Sequence, residues 1–426
     1  MSDLTRRDAL SILAAAALGA AAPRADASAN AAGTDHPTRL FRVRTLTAGT
    51  PLKNLADLHA VESALDFLLM AKQRFEGAGY EVQTVRVALN PLLSGLSSAA
   101  RMNALKDLRA LDALVSGRGA LLSIGPVFTA GDIDDHIGEW ATQLVRETKS
   151  INFSGSVASS ERGVHRDAID LAARVTASLT YALPDGVRNF RFSAAACIVP
   201  GTPFFPVAYA AGGPASLAVG LETPRLLQQA FSGGGDPVAA SDRLRALLDQ
   251  NFLPVQTLAM QVAEDGRRTY LGIDSSPAPG RDSSIGLALE TLTGQPFGSA
   301  STLQACAAVT AAIKSVSVKT CGYSGLMLPI LEDPVLADRV SEGRIKISDL
   351  LLYSTVCGTG LDVVPLAGDV APKDLARVIG DVATLAVRLK KPLSARLFPV
   401  PGKKVGDSIT FSDPLLCPSK VMPLES

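Results

Sequence analysis

The sequence predicts one large α/β domain in which about ten strands alternate with helices. Of its 426 residues, 47% are apolar but only 5% are aromatic, so alanine, valine and leucine must build the core. Such small side chains are typical of helices packed on parallel strands. Short apolar runs recur between longer segments with helical spacing, and no low-complexity linker divides them. A closed barrel and a long doubly wound sheet both fit this order of elements.

Each element is predicted from its own pattern of residues. Strands are predicted where apolar and polar residues alternate, or where a short apolar run ends at glycine, proline or an acid. The predicted strands are residues 41–46, 81–89, 120–124, 151–158, 189–199, 215–221, 268–274, 393–398 and 408–412, with two further apolar runs on either side of a short helix within residues 321–369. Helices are predicted where apolar residues recur every three or four positions. The predicted helices are residues 61–75, 100–114, 132–149, 164–180, 224–231, 237–248, 253–264, 283–292, 302–315 and 373–388.

The first residues predict an export signal. Arg6 and Arg7 precede an apolar run, residues 9–22, that is too short to span a bilayer, and a small-x-small cleavage site ends at Ala27. This pattern indicates a twin-arginine signal and a periplasmic or secreted protein. The predicted organisation is a signal peptide at 1–27, a disordered mature N-terminus at 28–39 and a single domain at 40–426.

The balance of basic and acidic residues limits the kinds of partner that the protein is expected to bind. The chain has 41 basic and 41 acidic residues and no long basic run, which argues against nucleic acid, because phosphate binding needs clustered positive charge. No other window is long and charge-free enough for a membrane span once the signal is cleaved. A small-molecule ligand is therefore the expected partner, and a homo-oligomer stays open.

Residues 321–369 are predicted to form one wall of a pocket. They hold Glu332, Asp333 and Asp362 at the ends of apolar runs, and Asp274 and Asp282 flank a proline-rich segment elsewhere. In parallel α/β folds, sites form at the carboxyl ends of strands. We therefore expect Asp274, Glu332 and Asp362 to meet in one hollow. Asp274, Asp282 and Asp362 are candidate ligands of Mg²⁺ or Ca²⁺. For any single acid, however, helix capping or a salt bridge is the better explanation, and Asp333 before Pro334 is the clearest cap.

Three more residues are candidates for catalysis. Cys357, in the turn Cys357-Gly358-Thr359-Gly360, is either an activated nucleophile or a buried thiol. His165 follows a strand end. It is either the base that would activate Cys357 or simply a residue at the start of the next helix. Arg396 lies within an apolar strand, so it must pair with one of the acids or bind an anionic ligand.

The loop at residues 200–213 is predicted to be a lid or pocket rim rather than a structural corner. It contains three prolines, three glycines and three aromatic residues. Loops of this length in a compact domain are usually functional or disordered, and the aromatic residues argue against disorder.

The five cysteines indicate neither a disulfide framework nor a zinc ribbon, since their number is odd and no C-x-x-C occurs.

Four motifs together carry a resemblance to a family: G-I-D-S-S-x-A-P, G-x-S-G-L-M-L-P-x-L-E-D, C-G-T-G-L-D and S-A-R-L-x-P-x-P-G-K. From residue 40 onward the chain resembles domain-of-unknown-function family 711, which is related to uncharacterised protein family 210. The resemblance implies a ten-stranded barrel similar to that of pyruvate formate-lyase, and no settled activity. The chain lacks the R-V-x-G-Y glycine and the paired cysteines of glycyl radical enzymes, so radical chemistry is not implied.

Three functions are compatible with these residues. The first is a divalent-cation-dependent enzyme of hydrolase or lyase type, acting on a small polar or anionic substrate through Glu332 and Arg396. The second is an exported, non-catalytic protein that closes residues 200–213 over a small molecule. The third is cysteine catalysis by Cys357 and His165.

Overall fold

A ten-stranded sheet flanked by helices organises the protein, of which this computed structural model describes residues 40–280 and 282–424. The predicted signal peptide and mature N-terminus, residues 1–39, lie outside these residues and stay predictions. The described residues fall within one compact unit. None of their helices combines the length and the apolar character needed to cross a bilayer.

The strands and helices follow the predicted alternation for most of the chain. The strands are β1 Arg42–Thr50, β2 Val82–Leu89, β3 Leu121–Pro126, β4 Ile151–Ser159, β5 Gly163–Val164, β6 Phe192–Ala196, β7 Ser216–Glu222, β8 Thr269–Asp274, β9 Gly360–Ala367, β10 Leu393–Val400, β11 Ser408–Ile409 and β12 Ser419–Lys420. The helices are α1 Leu58–Gly77, α2 Ser98–Gly117, α3 Ile137–Glu147, α4 Arg166–Thr180, α5 Pro224–Phe231, α6 Pro237–Asp265, α7 Ile285–Thr293, α8 Thr302–Lys314, α9 Pro334–Ser341, α10 Ile347–Ser354 and α11 Pro372–Leu389, with a 3₁₀ turn at Val187–Arg191.

The sheet consists of two groups of parallel strands that run in opposite directions. Its order is β8-β7-β1-β2-β3-β4-β6-β10-β9, with β5 added to β4. Strands β1, β2, β3, β4 and β6 are parallel, whereas β7 and β10 pair antiparallel to β1 and β6. The carboxyl ends of the two groups therefore lie at opposite edges of the sheet. The α/β class is confirmed.

The gap between the two edge strands is crossed by residues 319–330, which we call the bridging segment. Thr320 forms a single parallel bridge to Ile273 of β8, and Pro329 forms one to Asp362 of β9. These are isolated bridges rather than ladders, so the paired sheet is open here and the closed barrel stays a prediction. The strand predicted just before Glu332 is thus replaced by irregular chain, and two helices, α9 and α10, follow where the sequence predicts one.

Helix α6 is longer than predicted. The sequence predicts two helices here, residues 237–248 and 253–264. Pro254 lies close to their junction and cannot donate a backbone hydrogen bond inside a helix. The helix instead continues through Pro254 to Asp265. Its buried face is continuous across that point, with Leu248, Phe252 and Val255 at helical spacing, and this packing outweighs the lost hydrogen bond.

Candidate functional site

A cavity of about 560 Å³ is lined by residues of eight strands and of the segments between them. Its charged residues are Arg42 and Arg44 of β1, Arg86 of β2, Glu222 of β7, Asp362 of β9 and Arg396 of β10, with Asp282 and Glu332 from the connecting segments. Its uncharged polar residues include Gln83, Thr84, Asn152, Ser193, Tyr323, Thr359 and Ser394. The apolar part includes Leu121, Phe190, Phe204, Phe205 and Met327.

Seven of the charged groups alternate in sign along one row. The row runs Asp282, Arg42, Glu222, Arg44, Glu332, Arg396, Asp362. Arg42 and Arg44 are two positions apart on β1, so their side chains lie on the same face of the sheet. Glu222 lies 2.7 Å from an Arg42 nitrogen and 3.7 Å from one of Arg44. This alternation compensates the charges of most groups in the cavity.

The row ends inside the protein at Arg396 and its two carboxylates. Arg396 donates from Nη2 to Glu332 Oε1 at 2.5 Å and from Nε to Asp362 Oδ1 at 2.6 Å. Although burial alone would lower the pKa of Arg396, the charges of Asp362 and Glu332 raise it. The prediction that Arg396 pairs with an acid is therefore confirmed.

Asp362 is the least compensated carboxylate of the row. Burial raises its pKa; the Arg396 charge opposes this shift and the Glu332 charge adds to it. Its only guanidinium partner is shared with Glu332, and no second side chain donates to it in the described parts of the chain. The nearby hydroxyls donate elsewhere, since Tyr323 donates to Ser394 Oγ at 2.9 Å and Ser394 donates to the Thr359 carbonyl at 3.1 Å.

Arg86 is a buried cation without a carboxylate partner. Its Nε donates to Thr84 Oγ1 at 3.1 Å and its guanidinium lies 5.0 Å from the centre of the Phe205 ring. Among residues 40–280 and 282–424, no acid comes within ion-pair distance of it. Burial, with repulsion from Arg44, lowers its pKa to about 9, and Glu332 offsets this only in part. The terminal nitrogens of Arg86 are thus available to the cavity.

The loop at residues 200–213 contributes to the cavity as a buried wall. Residues 202–204 and 206–208 are buried, and residues 204–207 line the cavity. Thr47 Oγ1 donates to the Pro203 carbonyl at 2.9 Å, and Ser123 Oγ donates to the Ala208 carbonyl at 2.6 Å. The loop lies at the pocket, as predicted. Of the two predicted roles, lid or pocket rim, its hydrogen bonds to β1 and β3 fit the pocket rim.

The three predicted metal ligands are not brought together. Asp274 is fully buried and does not line the cavity; it accepts hydrogen bonds from Ser276, from the Tyr323 amide at 2.9 Å and from the Ser324 amide at 2.9 Å. Its carboxylate therefore holds the bridging segment rather than a cation. Asp282 and Asp362 line the cavity, but each is paired with arginine. Throughout the described ranges, no group of three or more His, Cys, Asp or Glu side chains is arranged to hold a metal ion.

Cys357 and His165 also lie outside the cavity lining. Cys357 is buried, and burial raises the pKa of its thiol, which disfavours the thiolate that a nucleophile requires. Both ring nitrogens of His165 are engaged, Nε2 with Ser159 Oγ at 3.2 Å and Nδ1 with the Ser156 carbonyl at 3.0 Å. These contacts fit the structural interpretation of both residues.

Several further site residues carry a signal in the sequence. Arg42 and Arg44 alternate with apolar residues in the first strand, as Thr84 and Arg86 do in the second. Charged residues on one face of strands that are otherwise apolar indicate a polar interior. Tyr323 has no such signal, because the bridging segment has no regular secondary structure.

Comparison with known proteins agrees with the motifs. The family model described as Uncharacterised ACR (DUF711) matches residues 37–412. A UPF0210 protein of Syntrophobacter fumaroxidans is 30% identical over 358 residues, covering 78% of this chain and 77% of that protein. UPF0210 proteins of Pyrobaculum arsenaticum and Listeria monocytogenes are 28% and 25% identical and cover 86% and 90% of the chain, and the chain covers 85% and 90% of them. The model and the relatives span most of the sequence, and the protein therefore belongs to the DUF711 family.

Proposed function

We propose that the protein binds a small organic carboxylate in the cavity, with Arg86 as the group that recognises the anion. The observation that carries the proposal is the missing counter-charge of Arg86. A buried charge without a partner is costly, and the fold retains it beside an open volume. An anionic ligand supplies the negative charge that the protein itself does not place beside Arg86.

The geometry of Arg86 favours a carboxylate. Its Nε is occupied by Thr84 and one face of its guanidinium lies against Phe205, so the remaining donors are the two terminal nitrogens. Two parallel N–H groups match the two oxygens of a carboxylate. Leu121, Phe204 and Met327 supply apolar surface for the rest of the ligand.

The proposal includes closure of the sheet around the ligand. The bridging segment contacts both edge strands and contributes Tyr323, Met327 and Pro329 to the cavity wall. These contacts support a ten-stranded barrel in which the bridging segment, rather than direct pairing of β8 with β9, closes the ring of strands.

A second candidate function is an enzyme of lyase or hydrolase type that acts on the same ligand. The specific observation is that Asp362, with its raised pKa, and Glu332 flank Arg396 on the cavity wall. A carboxyl group whose pKa is shifted toward neutrality can take and return a proton during a reaction. Asp362 is thus the candidate acid–base group and Glu332 its partner.

The carboxylate proposal is tested by replacing Arg86 with methionine. Butyrate, hexanoate and benzoate are the probes, measured by thermal shift and by calorimetry. In R86M we expect the affinity for every probe that binds the wild type to fall at least tenfold. The ligand-free variant should be as stable as the wild type or more stable, because the substitution removes a buried, uncompensated charge.

Arg268 provides the matched control. Its guanidinium also lies over a phenylalanine, Phe67, at 4.4 Å, and burial lowers its pKa to about 10, but it is not in the cavity wall. R268M should therefore keep the wild-type affinity. Equal affinities in R86M and R268M, or no probe binding to the wild type, would refute the proposal.

A further inference from the structure

We infer that the ligand carries an N–H or O–H donor in addition to its carboxylate, and that Asn152 is the residue that accepts from this donor. The inference rests on the proposed function for the contact with Arg86. The contact with Asn152 follows from burial, hydrogen bonds and strand register that the proposed function does not use. The ligand class is thus a carboxylic acid that also bears an amide or a hydroxyl group.

Asn152 of β4 presents an unused acceptor to the cavity. It belongs to the cavity lining and is 8% exposed. Its Nδ2 donates to the Ser150 carbonyl at 3.0 Å, and this contact fixes the orientation of the amide, because only the nitrogen can face a carbonyl oxygen. In the parts of the chain that the structure describes, no group donates to its Oδ1. A ligand that displaces water from such an acceptor must supply a donor of its own or lose affinity.

The register of the strands places Asn152 within reach of a small molecule bound at Arg86. Arg86 of β2 is paired with Leu121 of β3, and Ser123, two residues further along β3, is paired with Asn152. Strands about 4.8 Å apart with a rise of about 3.3 Å per residue put the Cα atoms of Arg86 and Asn152 about 12 Å apart. Both side chains stand on the cavity face of the sheet and keep about this separation. Two hydrogen bonds of about 2.9 Å then leave about 6 Å for the ligand.

The surface between the two polar groups is apolar. Leu121 lies directly beside Arg86 and lines the cavity. Ser123, the polar residue on this path, is directed elsewhere, since its Oγ donates to the Ala208 carbonyl at 2.6 Å. The order of Arg86, Leu121 and Asn152 therefore matches a carboxylate, a short hydrocarbon chain and a donor.

The test compares three substituents on the same carbon skeleton. The monoamide of adipic acid, 6-hydroxyhexanoate and monomethyl adipate each carry one carboxylate, but only the first two carry a donor. The monoamide of succinic acid, 4-hydroxybutanoate and monomethyl succinate repeat the comparison at a shorter spacing. In calorimetry on the full chain at pH 7, the amide or the hydroxy acid should bind about fivefold more tightly than the ester at one length at least, which is the effect of one net hydrogen bond. The tighter of the two identifies the donor.

Replacement of Asn152 by leucine removes the acceptor and keeps a side chain of similar size. In N152L the preference for the amide or hydroxy acid over the ester should disappear, whereas the ester, which is bound through Arg86, should keep its affinity. Because the measured quantity is a ratio within one protein, a general loss of stability does not imitate this result. Asn152→Ala removes the same acceptor without the bulk of leucine and is measured in parallel.

Asn251 of α6 provides the matched control. Its Nδ2 also donates to a backbone carbonyl, that of Leu247 at 2.8 Å, but the residue is not in the cavity wall. N251L should therefore keep the wild-type preference for the donor-bearing acid.

The possible failures are distinguishable. If the wild type binds the esters as tightly as the amides and hydroxy acids, and R86M loses this binding, the inference is refuted and the proposed function stands. A preference that persists in the Asn152 variants refutes the role of Asn152. If none of these derivatives binds but hexanoate does, the inference alone fails. If hexanoate and butyrate do not bind either, the proposed function fails with it.

Discussion

Arg86 and Arg396 show how one residue type takes two roles in the same cavity. Both are buried in apolar strands and both lie over a phenylalanine ring, Phe205 and Phe190. Arg396 has two carboxylates within 2.6 Å, and its pKa is raised. Arg86 has none in the described chain, and its pKa is lowered. Arg396 is thus a structural partner of acids, and Arg86 is the residue to which the proposed ligand contact is assigned.

The pKa of Asp362 predicts a pH dependence of stability. Burial raises it above the unfolded value, which is about 3.9, so the folded protein binds this proton more tightly than the unfolded chain. The stability contributed by the group is fully present below the unfolded pKa and is lost as pH rises through the folded pKa. Between these two values, the unfolding free energy of the wild type should fall relative to D362N by up to about 1.4 kcal/mol per pH unit.

Urea unfolding of both proteins from pH 4 to pH 8 measures this difference. Other buried acids, such as Asp274 and Asp333, contribute equally to both proteins and cancel. A constant difference across the range, or a wild type that gains stability relative to D362N as pH rises, would contradict the assigned direction.

At the residue scale, the sequence predicts the type of partner better than the position of the site. The apolar residues around Arg396 are enough to predict that it needs an acid. Asp333 is a helix cap, as predicted, and accepts hydrogen bonds from the Val335 and Leu336 amides. Arg86 cannot be told apart from Arg396 in the sequence, because a missing acidic partner is a property of the folded surroundings. The role of Asp274 is hidden in the sequence for the same reason, since two of its donors, the Tyr323 and Ser324 amides, come from about fifty residues further along the chain.

At the scale of elements, the prediction that residues 321–369 form one wall of the pocket is confirmed, but the irregular backbone of the bridging segment within it was not predicted. The strands were predicted from alternation and apolar runs, and most are present. The rule that sites lie at carboxyl ends of strands assumes that all strands run the same way. Here β7 to β10 run against the other group, so the ends of β4 and β8 lie at opposite edges. The cavity is built from inward-facing residues within the strands instead.

The contact between two glycines fixes the bridging segment against the turn before β9. A Cβ atom added at Gly358 would lie 2.3 Å from Gly325 Cα, which is backbone and cannot rotate away. Gly358→Ala should therefore displace the segment and lower the unfolding free energy by about 1–3 kcal/mol. Because Tyr323 and Met327 belong to that segment, probe binding should weaken too.

Gly380→Ala is the control for this substitution. Gly380 lies in α11, and a Cβ atom there would meet nothing within 4 Å. Alanine should stabilise the helix by about 0.5–1 kcal/mol and leave binding unchanged. If both variants changed stability in the same direction, the glycine contact would not be the cause, and chemical denaturation of the pair decides the matter.

At the scale of the whole molecule, the row of ion pairs joins the two places where the sheet reverses direction. Arg44 lies on β1, which pairs antiparallel with β7, and Arg396 lies on β10, which pairs antiparallel with β6. Glu332 of the connecting segment contacts both arginines, at 3.4 Å and 2.5 Å. A single carboxylate thus connects the two halves of the sheet across the cavity.

Loss of this carboxylate charge should destabilise the entire fold. Glu332→Gln keeps the shape but leaves Arg44 and Arg396 with less compensation in a buried site, so we expect a loss of about 3–5 kcal/mol in the free energy of unfolding. Asp66→Asn is the matched control, because it breaks the exposed pair with Arg118 and should cost at most about 1 kcal/mol. Urea unfolding at low and high salt separates the two, since salt screens the exposed pair and leaves the buried one nearly unchanged. Equal losses in both variants would mean that the row across the cavity contributes no more than an ordinary surface ion pair.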